Sequence, residues 1–348
     1  MSAINAPGPA FDHRSARLSA TEALGAMRRR TIIGLGLAGG ALAATGGVTV
    51  AFRRAMAEAR KAIAPSLSSV VATRAGTLEY AEAGRGLPFL MVHGTGGGFD
   101  QGLRFSRRLV EAGYRVIAPS RFGYLRSAFP DDASSENQAD CFADLLDRLG
   151  IDRIAIAGGS AGALSAMQFA IRHSDRCAAL LPIVPAAYAP DRPPARPWSA
   201  TQQSIAETVL QSDFLFWAAI AGMPETMIET LLATDRGIYR QADADERARA
   251  KALLKGILPV SARSRGLLND ARLAGNPQRM ALETVSAPTL AISLEDDRFL
   301  TADAARHVGA TVPGARLIVY ETGGHVWLGR DAQMFGDIVA FLKEIGYA

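Results

Sequence analysis

A serine occupies the centre of the most informative stretch of the sequence, residues 158–162 (GGSAG). An apolar run, residues 154–157, precedes it, and a helical pattern over residues 163–172 follows it. A strand, a tight turn and a helix in this order strain the backbone at the serine and expose its hydroxyl beside a helix N-terminus, which stabilises negative charge. A chain with 34 glycines can contain such a pentapeptide by chance, but the flanking elements favour a catalytic nucleophile, Ser160.

A second glycine-rich turn, residues 93–98 (HGTGGG), directly follows the apolar run 89–92. Glycines in such a turn allow backbone N–H groups to point into a cavity. We expect the N–H of Thr95 or Gly96, together with that of Ala161, to form an oxyanion hole. A phosphate-binding loop is excluded, because the turn has neither the P-loop pattern nor the dinucleotide fingerprint.

From about residue 68 onward, short apolar runs alternate with helical patterns. Seven runs are predicted as strands: residues 77–83, 89–92, 115–118, 154–157, 179–184, 289–294 and 316–320. This order is typical of a mostly parallel sheet with helices on both faces. No convincing strand pattern occurs between residues 185 and 287, which predicts an inserted helical lid at about residues 186–280 of a domain that spans residues 68–348.

The two turns, in this order along an alternating chain, resemble the α/β-hydrolase superfamily, specifically its lidded esterase and carbon–carbon-bond hydrolase-like branch. The resemblance covers about residues 70–346. It implies an α/β fold with a mostly parallel, eight-stranded-type sheet, helices on both faces and an inserted lid. In this family an acid follows a late strand and a histidine follows the last strand, so the catalytic residues occur in the order Ser, Asp, His.

The resemblance implies His325 as the general base and Asp297 as the acid that orients it. His325 is the only one of five histidines in a glycine-flanked loop after a terminal strand, whereas His93 is interpreted as a structural residue that holds its turn. The adjacent Asp296 is the alternative acid. The family's acid usually stands three residues after a glycine, and Leu294 occupies that glycine's place, so counting favours Asp297.

One segment departs from the family pattern. The loop after the fourth strand usually reads Asp-x-x-Gly-x-Gly-x-Ser, but residues 120–127 read SRFGYLRS. This change and Leu294 leave the catalytic residues intact.

Three functions remain open. The first is hydrolysis of a carboxylic ester or related acyl bond of a small molecule through an acyl-enzyme, and the second is cleavage of carbon–carbon bonds in vinylogous diketones. The third is a non-catalytic binding protein that keeps the fold. None requires a metal or an organic cofactor. Phe214 and Trp217, in the lid, are predicted either to line an apolar acyl pocket or to serve the lid's own packing.

The N-terminal region has a different composition. Residues 1–30 are predicted to be a mobile arm. Residues 31–52 contain no charge and are long enough to cross a bilayer. Residues 29–33 (RRTII) resemble a twin-arginine export signal. A cleaved signal, an uncleaved membrane anchor and a buried glycine-rich helix are the three interpretations, and the first two imply an exported or membrane-anchored protein. Residues 53–67 are predicted to be a linker.

The chain is basic, with a formal charge of +4 and an isoelectric point near 9.3. Much of the excess comes from five arginines near the N-terminus, and no basic stripe is interleaved with aromatic residues, so no nucleic-acid partner is expected. Cys141 and Cys177 have neither metal-ligand nor redox spacing and are interpreted as buried thiols. The oligomeric state is left open.

Overall fold

Eight strands form one sheet in the order β1-β2-β4-β3-β5-β6-β7-β8 in the computed structural model, which describes residues 46–190 and 199–348. β1 and β2 pair antiparallel to each other, β2 pairs antiparallel to β4, and the other strands are parallel. The strands are β1 Ser69–Thr73, β2 Gly76–Ala83, β3 Pro88–Val92, β4 Arg115–Pro119, β5 Ile154–Gly159, β6 Cys177–Ile183, β7 Leu290–Leu294 and β8 Arg316–Tyr320. The predicted fold class is confirmed; β1 is the strand that the sequence pattern did not reveal.

Helices cover both faces of the sheet. Successive side chains of a strand point to opposite faces, so in β3 Leu90 and Val92 join one apolar cluster while Phe89 and Met91 join another. Because both clusters are buried, the central strands are apolar throughout rather than alternating. The covering helices are α2 Phe99–Phe105, α3 Arg107–Glu111, α4 Ser135–Leu149, α5 Gly162–Arg172, α12 Thr301–Thr311 and α13 Asp331–Glu344.

Six helices lie between β6 and β7, in the region where a lid was predicted, and no strand occurs there among the described residues. They are α6 Ala200–Gln211, α7 Asp213–Gly222, α8 Pro224–Leu231, α9 Arg236–Gln241, α10 Ala244–Lys255 and α11 Ser264–Gly275. Residues of α7, α8 and α10, including Phe216, Ile228 and Leu253, form a third apolar cluster. The helices between β6 and β7 are called the lid below.

The chain before the sheet is helical where a linker was predicted. Helix α1 spans Gly46–Ala62, and a short 3-10 helix spans Pro65–Leu67. The predicted linker, residues 53–67, is thus helical over most of its length. The physical reason is packing: Met56 is 3% exposed and belongs to the lid's apolar cluster. A buried apolar side chain on one face stabilises a helix that the local sequence alone does not specify.

The predicted arm, residues 1–30, and most of the predicted membrane segment, residues 31–45, lie outside the described residues. The end of that segment, from Gly46 to Phe52, belongs to α1. Within residues 46–190 and 199–348, no helix combines the length and the hydropathy needed to cross a bilayer.

Candidate active site

Ser160 occupies the turn between β5 and α5, with a left-handed backbone, φ 51°. A non-glycine residue in this conformation is strained, and such strain persists only where the surroundings enforce it. Here the N–H of Ser160 donates to the carbonyl of Ile183 at 2.9 Å, and its own carbonyl accepts from the N–H groups of Ala163 at 3.0 Å and Ala186 at 3.1 Å. The predicted nucleophile therefore has the conformation of a nucleophile turn.

The glycines on either side of Ser160 are required by close backbone contacts. A Cβ on Gly158 would lie 2.6 Å from the Cα of Ala163, and a Cβ on Gly162 would lie 2.7 Å from the carbonyl oxygen of Val92. Both distances are too short for any side chain. The turn therefore packs directly on the end of β3, where the second glycine-rich loop begins.

That loop, residues 93–98, lies beside the serine. A Cβ placed on Gly94 would lie 3.3 Å from the Cβ of Ser160. The N–H of Gly96, one of the two predicted alternatives for the oxyanion donor from this loop, donates to the phenol oxygen of Tyr124 at 3.1 Å and is therefore already occupied. Among the described residues, no acceptor is found for the N–H of Thr95 or Ala161. These two amides remain the predicted oxyanion hole.

His93 is fully buried below this loop and bonds through both ring nitrogens. Its Nδ1 donates to the carbonyl of Gly94 at 2.7 Å, and its Nε2 accepts from the N–H of Arg121 at 2.9 Å. Burial, followed by the charge of Arg121, holds the pKa of His93 well below its usual value. A neutral ring with both nitrogens occupied matches the structural role that the sequence indicated.

Asp297 and His325 meet at the carboxyl edge of the sheet. Asp297 follows β7 and His325 follows β8, and the Nδ1–H of the histidine donates to Oδ2 of the aspartate at 2.7 Å. Asp297 is 2% exposed and also accepts from the hydroxyl of Thr301 and, at 2.9 Å, from the N–H of Phe299. The ring of Phe299 packs edge-on against His325, with 4.9 Å between centroids. The pair is thus fixed from several sides.

The neighbouring Asp296 has a different role. Its carboxylate accepts from the N–H of Gly323 at 3.0 Å and from that of Gly324 at 2.8 Å. Burial raises its pKa, and the two amide bonds oppose that rise. Asp296 therefore holds the loop that carries His325, whereas Asp297 holds the imidazole itself, as counting along the sequence predicted.

The unusual loop after β4 is supported by a carboxylate from another strand. Ser120 stands where the family pattern has Asp, and its hydroxyl donates to Oε2 of Glu79 at 3.0 Å. Glu79, on β2, is fully buried and also pairs with Arg126 at 2.7 Å. Leu125 takes the place of a family glycine and has a left-handed φ of 52°. The carboxylate is therefore supplied by Glu79 instead of residue 120, and Leu125 has a strained backbone, while the turn is kept.

The two lid aromatics predicted to bind substrate contact helix α1. The ring centroid of Phe52 lies 5.3 Å from that of Phe214 and 5.4 Å from that of Trp217. Both side chains therefore pack against α1, a contact that neither interpretation of the sequence specified. Their role in substrate binding remains a prediction.

With this geometry described, comparison with known proteins identifies the family. The sequence profile for the alpha/beta hydrolase fold matches residues 88–328, more than two thirds of the chain. This chain belongs to the α/β-hydrolase fold family. Its relatives and structural neighbours are hydrolytic enzymes, and it is a hydrolytic enzyme of this type.

Three similar proteins illustrate the range within the family. A 2-hydroxy-6-oxononadienedioate/2-hydroxy-6-oxononatrienedioate hydrolase of Paraburkholderia xenovorans is 28% identical over 75% of this chain and 89% of its own. An α/β-hydrolase fold protein of Nakamurella multipartita has a TM-score of 0.62 and 26% identity over 80% of this chain and 99% of its own. A membrane phospholipase A, described as a bacterial virulence factor, has a TM-score of 0.58 and 24% identity over 92% of this chain and 100% of its own. The similarity to the phospholipase, at 24% identity, shows only a shared fold.

Several residues that support this hydrolase's site were not found from the sequence. Arg121, Arg263 and Asp270 are buried charged side chains that bond around the loop of residues 93–98. Arg121 and Asp270 are 149 positions apart, so spacing carries no signal for their contact. The available hint was the departure of residues 120–127 from the family pattern.

The two acids of this hydrolase should differ sharply in a kinetic comparison. We expect Asp297→Asn to lower kcat by about 10⁴-fold, because an amide favours the wrong tautomer of His325. Asp296→Asn keeps one oxygen acceptor for the loop and should cost about 10-fold or less. Steady-state kinetics of both variants on one substrate measure the difference, and a crippled Asp296→Asn beside a nearly normal Asp297→Asn would reverse the assignment.

His93 should make the stability of this hydrolase depend on pH. Its folded pKa lies below the unfolded value of about 6.5, so only the unfolded chain takes up a proton as the pH falls below that value. The His93 contribution is complete above pH 6.5 and is lost below it, at up to about 1.4 kcal/mol per pH unit. Urea unfolding at pH 7.5, 6.5 and 5.5 measures this slope, which His93→Gln should reduce; an unchanged slope in the variant would contradict the prediction.

Proposed function

We propose that this protein is a serine hydrolase in which Ser160 is the nucleophile, His325 the general base and Asp297 its orienting acid, and that it cleaves a carboxylic ester or related acyl bond. The observation that carries the proposal is the 2.7 Å bond from His325 Nδ1 to Asp297, and the strained turn at Ser160 supports it. The three residues follow β5, β7 and β8, which are parallel. Carboxyl ends of parallel strands share one edge of a sheet, and active sites of open α/β sheets form there.

The mechanism proceeds in two halves. Ser160 Oγ attacks the carbonyl carbon while its proton passes to Nε2 of His325, and Asp297 stabilises the imidazolium. The N–H groups of Ala161 and Thr95 bind the oxyanion. When the tetrahedral intermediate collapses, the alcohol leaves with the proton from His325, and the acyl group stays on Ser160. Water then gives a proton to His325 and attacks the acyl-enzyme, and the carboxylic acid leaves as Ser160 Oγ takes that proton back from His325.

The charges near the loop of residues 93–98 favour a neutral acyl substrate. Arg121 pairs with Asp270 and Arg263 pairs with Asp100, so both of these buried guanidinium groups are already neutralised within the protein. A substrate carboxylate bound there would have to displace one of these partners, which is costly for a buried ion pair.

A second candidate is cleavage of a carbon–carbon bond, as the printed name of the Paraburkholderia xenovorans relative describes for that protein. The same catalytic residues serve either reaction, since both involve attack on a carbonyl group. The third hypothesis, a binding protein without catalysis, is opposed by the intact Asp297–His325 pair.

The proposal predicts complete dependence on one hydroxyl. Ser160→Ala should abolish labelling by a fluorophosphonate probe and lower ester hydrolysis by about 10⁶-fold. Ser165→Ala is the matched control, because this serine lies five residues later, in α5, and its hydroxyl bonds only the carbonyl of Gly162 within residues 46–190 and 199–348. The control should label and hydrolyse normally.

The substrate panel separates the three candidates. It contains p-nitrophenyl esters of graded chain length, a phospholipid and a vinylogous diketone carrying carboxylates. Preference for an ester supports the proposal, whereas turnover of the diketone alone would assign the second function. Folded protein that neither labels nor turns over any substrate would favour the binding protein.

We also propose that residues 31–45 associate with a membrane and that α1 joins this segment to the lid. The support is the uncharged composition of the segment and the exposed basic side chains of α1, including Arg53, Arg54 and Arg60. Anionic headgroups attract such side chains. The full chain should sediment with anionic vesicles, and a chain of residues 46–348, which keeps the basic side chains of α1 and lacks the uncharged segment, should sediment to a smaller extent with its ester hydrolysis retained. Equal sedimentation of both would contradict the proposal.

A further inference from the structure

The hydroxyl of Tyr124 joins the oxyanion loop to the lid. It accepts the N–H of Gly96 at 3.1 Å and donates to Oδ2 of Asp270 on α11 at 2.5 Å. Tyr124 is fully buried, and its ring packs edge-on against His93 with 4.7 Å between centroids. Burial raises the pKa of this phenol well above its usual value, and the charge of Asp270 adds to the rise, so the hydroxyl keeps its proton.

Asp270 reaches the same loop by a second route. Its two carboxylate oxygens accept from the two terminal nitrogens of Arg121 at 2.6 and 2.7 Å. The Nε of Arg121 in turn donates to the carbonyl of His93 at 3.0 Å. One carboxylate on the lid therefore acts at both ends of the segment from His93 to Gly96.

Arg263, the residue just before α11, binds another backbone carbonyl of the same loop. Arg263, with a fully buried side chain, donates to the carbonyl oxygen of Gly97 and pairs with Asp100 at 3.0 Å. Gly97 is adjacent to Gly96. Arg263 thus binds the carbonyl of Gly97 directly, while Asp270 acts through Arg121 on the carbonyl of His93 and through Tyr124 on the N–H of Gly96. Thr95 lies between these fixed points.

We propose that Asp270, acting through Tyr124, is a positioning residue for the oxyanion hole. The phenol of Tyr124 accepts the N–H of Gly96 and fixes the loop, so that the N–H of Thr95 remains for the oxyanion. This inference rests on the proposed serine hydrolase function. Neither Asp270 nor Tyr124 touches the reacting atoms. The lid thereby contributes to the chemical step, because a small displacement of a preorganised donor weakens its bond to the transition state.

Tyr124→Phe tests the inference with little disturbance. It removes one hydroxyl, keeps the aromatic ring beside His93 and leaves the two bonds between Arg121 and Asp270 in place. We expect kcat for an ester to fall by about 10- to 100-fold while KM changes by less than about 3-fold. Affinity for a trifluoromethyl ketone, which forms a tetrahedral adduct with the serine, should fall by a similar factor.

Tyr114→Phe is the matched control. Tyr114 is also a buried tyrosine, but its hydroxyl donates to the carbonyl of Tyr347, near the C-terminus. Thermal unfolding should show comparable losses of Tm in the two variants, whereas only Tyr124→Phe should lower kcat and inhibitor affinity. A purely structural role for Tyr124 would lower Tm and leave both kinetic measurements unchanged, which would overturn the inference.

The outcomes also separate this inference from the proposed function. An inactive Ser160→Ala together with a Tyr124→Phe variant of normal kcat refutes the inference alone, while an active Ser160→Ala refutes the proposed function. Should Tyr124→Phe not fold, Asp270→Asn tests the other end of the link, because the amide has one oxygen acceptor and weakens both routes from residue 270 to the loop, through Tyr124 and through Arg121. A lowered kcat at unchanged KM supports the inference, and unchanged kinetics overturn it.

Discussion

The close approach of the turn at Ser160 to the end of β3 is the constraint on which the site depends. A left-handed residue other than glycine costs about 1–3 kcal/mol, so the turn needs support on both sides. Backbone bonds from Ser160 to Ile183 and Ala186 supply it on the β6 side, and contact between Gly162 and the carbonyl of Val92 supplies it on the β3 side. That contact brings the glycine-rich loop to the serine, so one packing arrangement creates both the nucleophile turn and the candidate oxyanion hole.

The acid and histidine loops are held in a comparable way, with the lid supplying part of the support. Arg298 follows the acid, and its N–H donates to the carbonyl of Ala233 in the lid at 3.2 Å. A Cβ on Gly324, next to the histidine, would lie 2.6 Å from Thr234. Arg249 of α10 donates to the carbonyl of Val326 at 2.8 Å. The lid is therefore bound to the loops of the sheet edge at several points.

Two buried ion pairs fasten the other side of the lid, and their contribution is geometric. Burying a charge costs several kcal/mol in lost solvation, and a partner recovers that cost only with good geometry. Arg121 and Asp270 meet this condition with two parallel bonds, and Arg263 and Asp100 also form two. Such pairs specify how two elements meet, because any other arrangement leaves a charge unpaired. At this site the two ion pairs fix the position of the lid relative to the loop of residues 93–98.

The sequence alone determined what depends on local pattern and chain order. The strand-turn-helix at Ser160, the glycine-rich turn after β3 and the apolar runs of the parallel strands are short-range features, since the backbone conformation they need restricts residue type over a few positions. Counting from the end of β7 also distinguished Asp297 from Asp296, because neighbouring residues of a loop point in different directions. These features were sufficient to predict the fold and the order of the candidate catalytic residues.

Only the tertiary structure decided which groups are already occupied. From the sequence, the N–H groups of Gly96 and Thr95 are equal candidates for the oxyanion hole. In the structure the phenol oxygen of Tyr124, 28 positions from Gly96, accepts the N–H of Gly96 and leaves that of Thr95. The sequence predicts a linker for residues 53–62, and only the folded structure shows the buried contacts of Met56 with the lid. The pairing of Arg121 with Asp270 joins positions that no local pattern relates. In each case the deciding energy is burial or hydrogen bonding between distant segments, which exists only after the chain has folded.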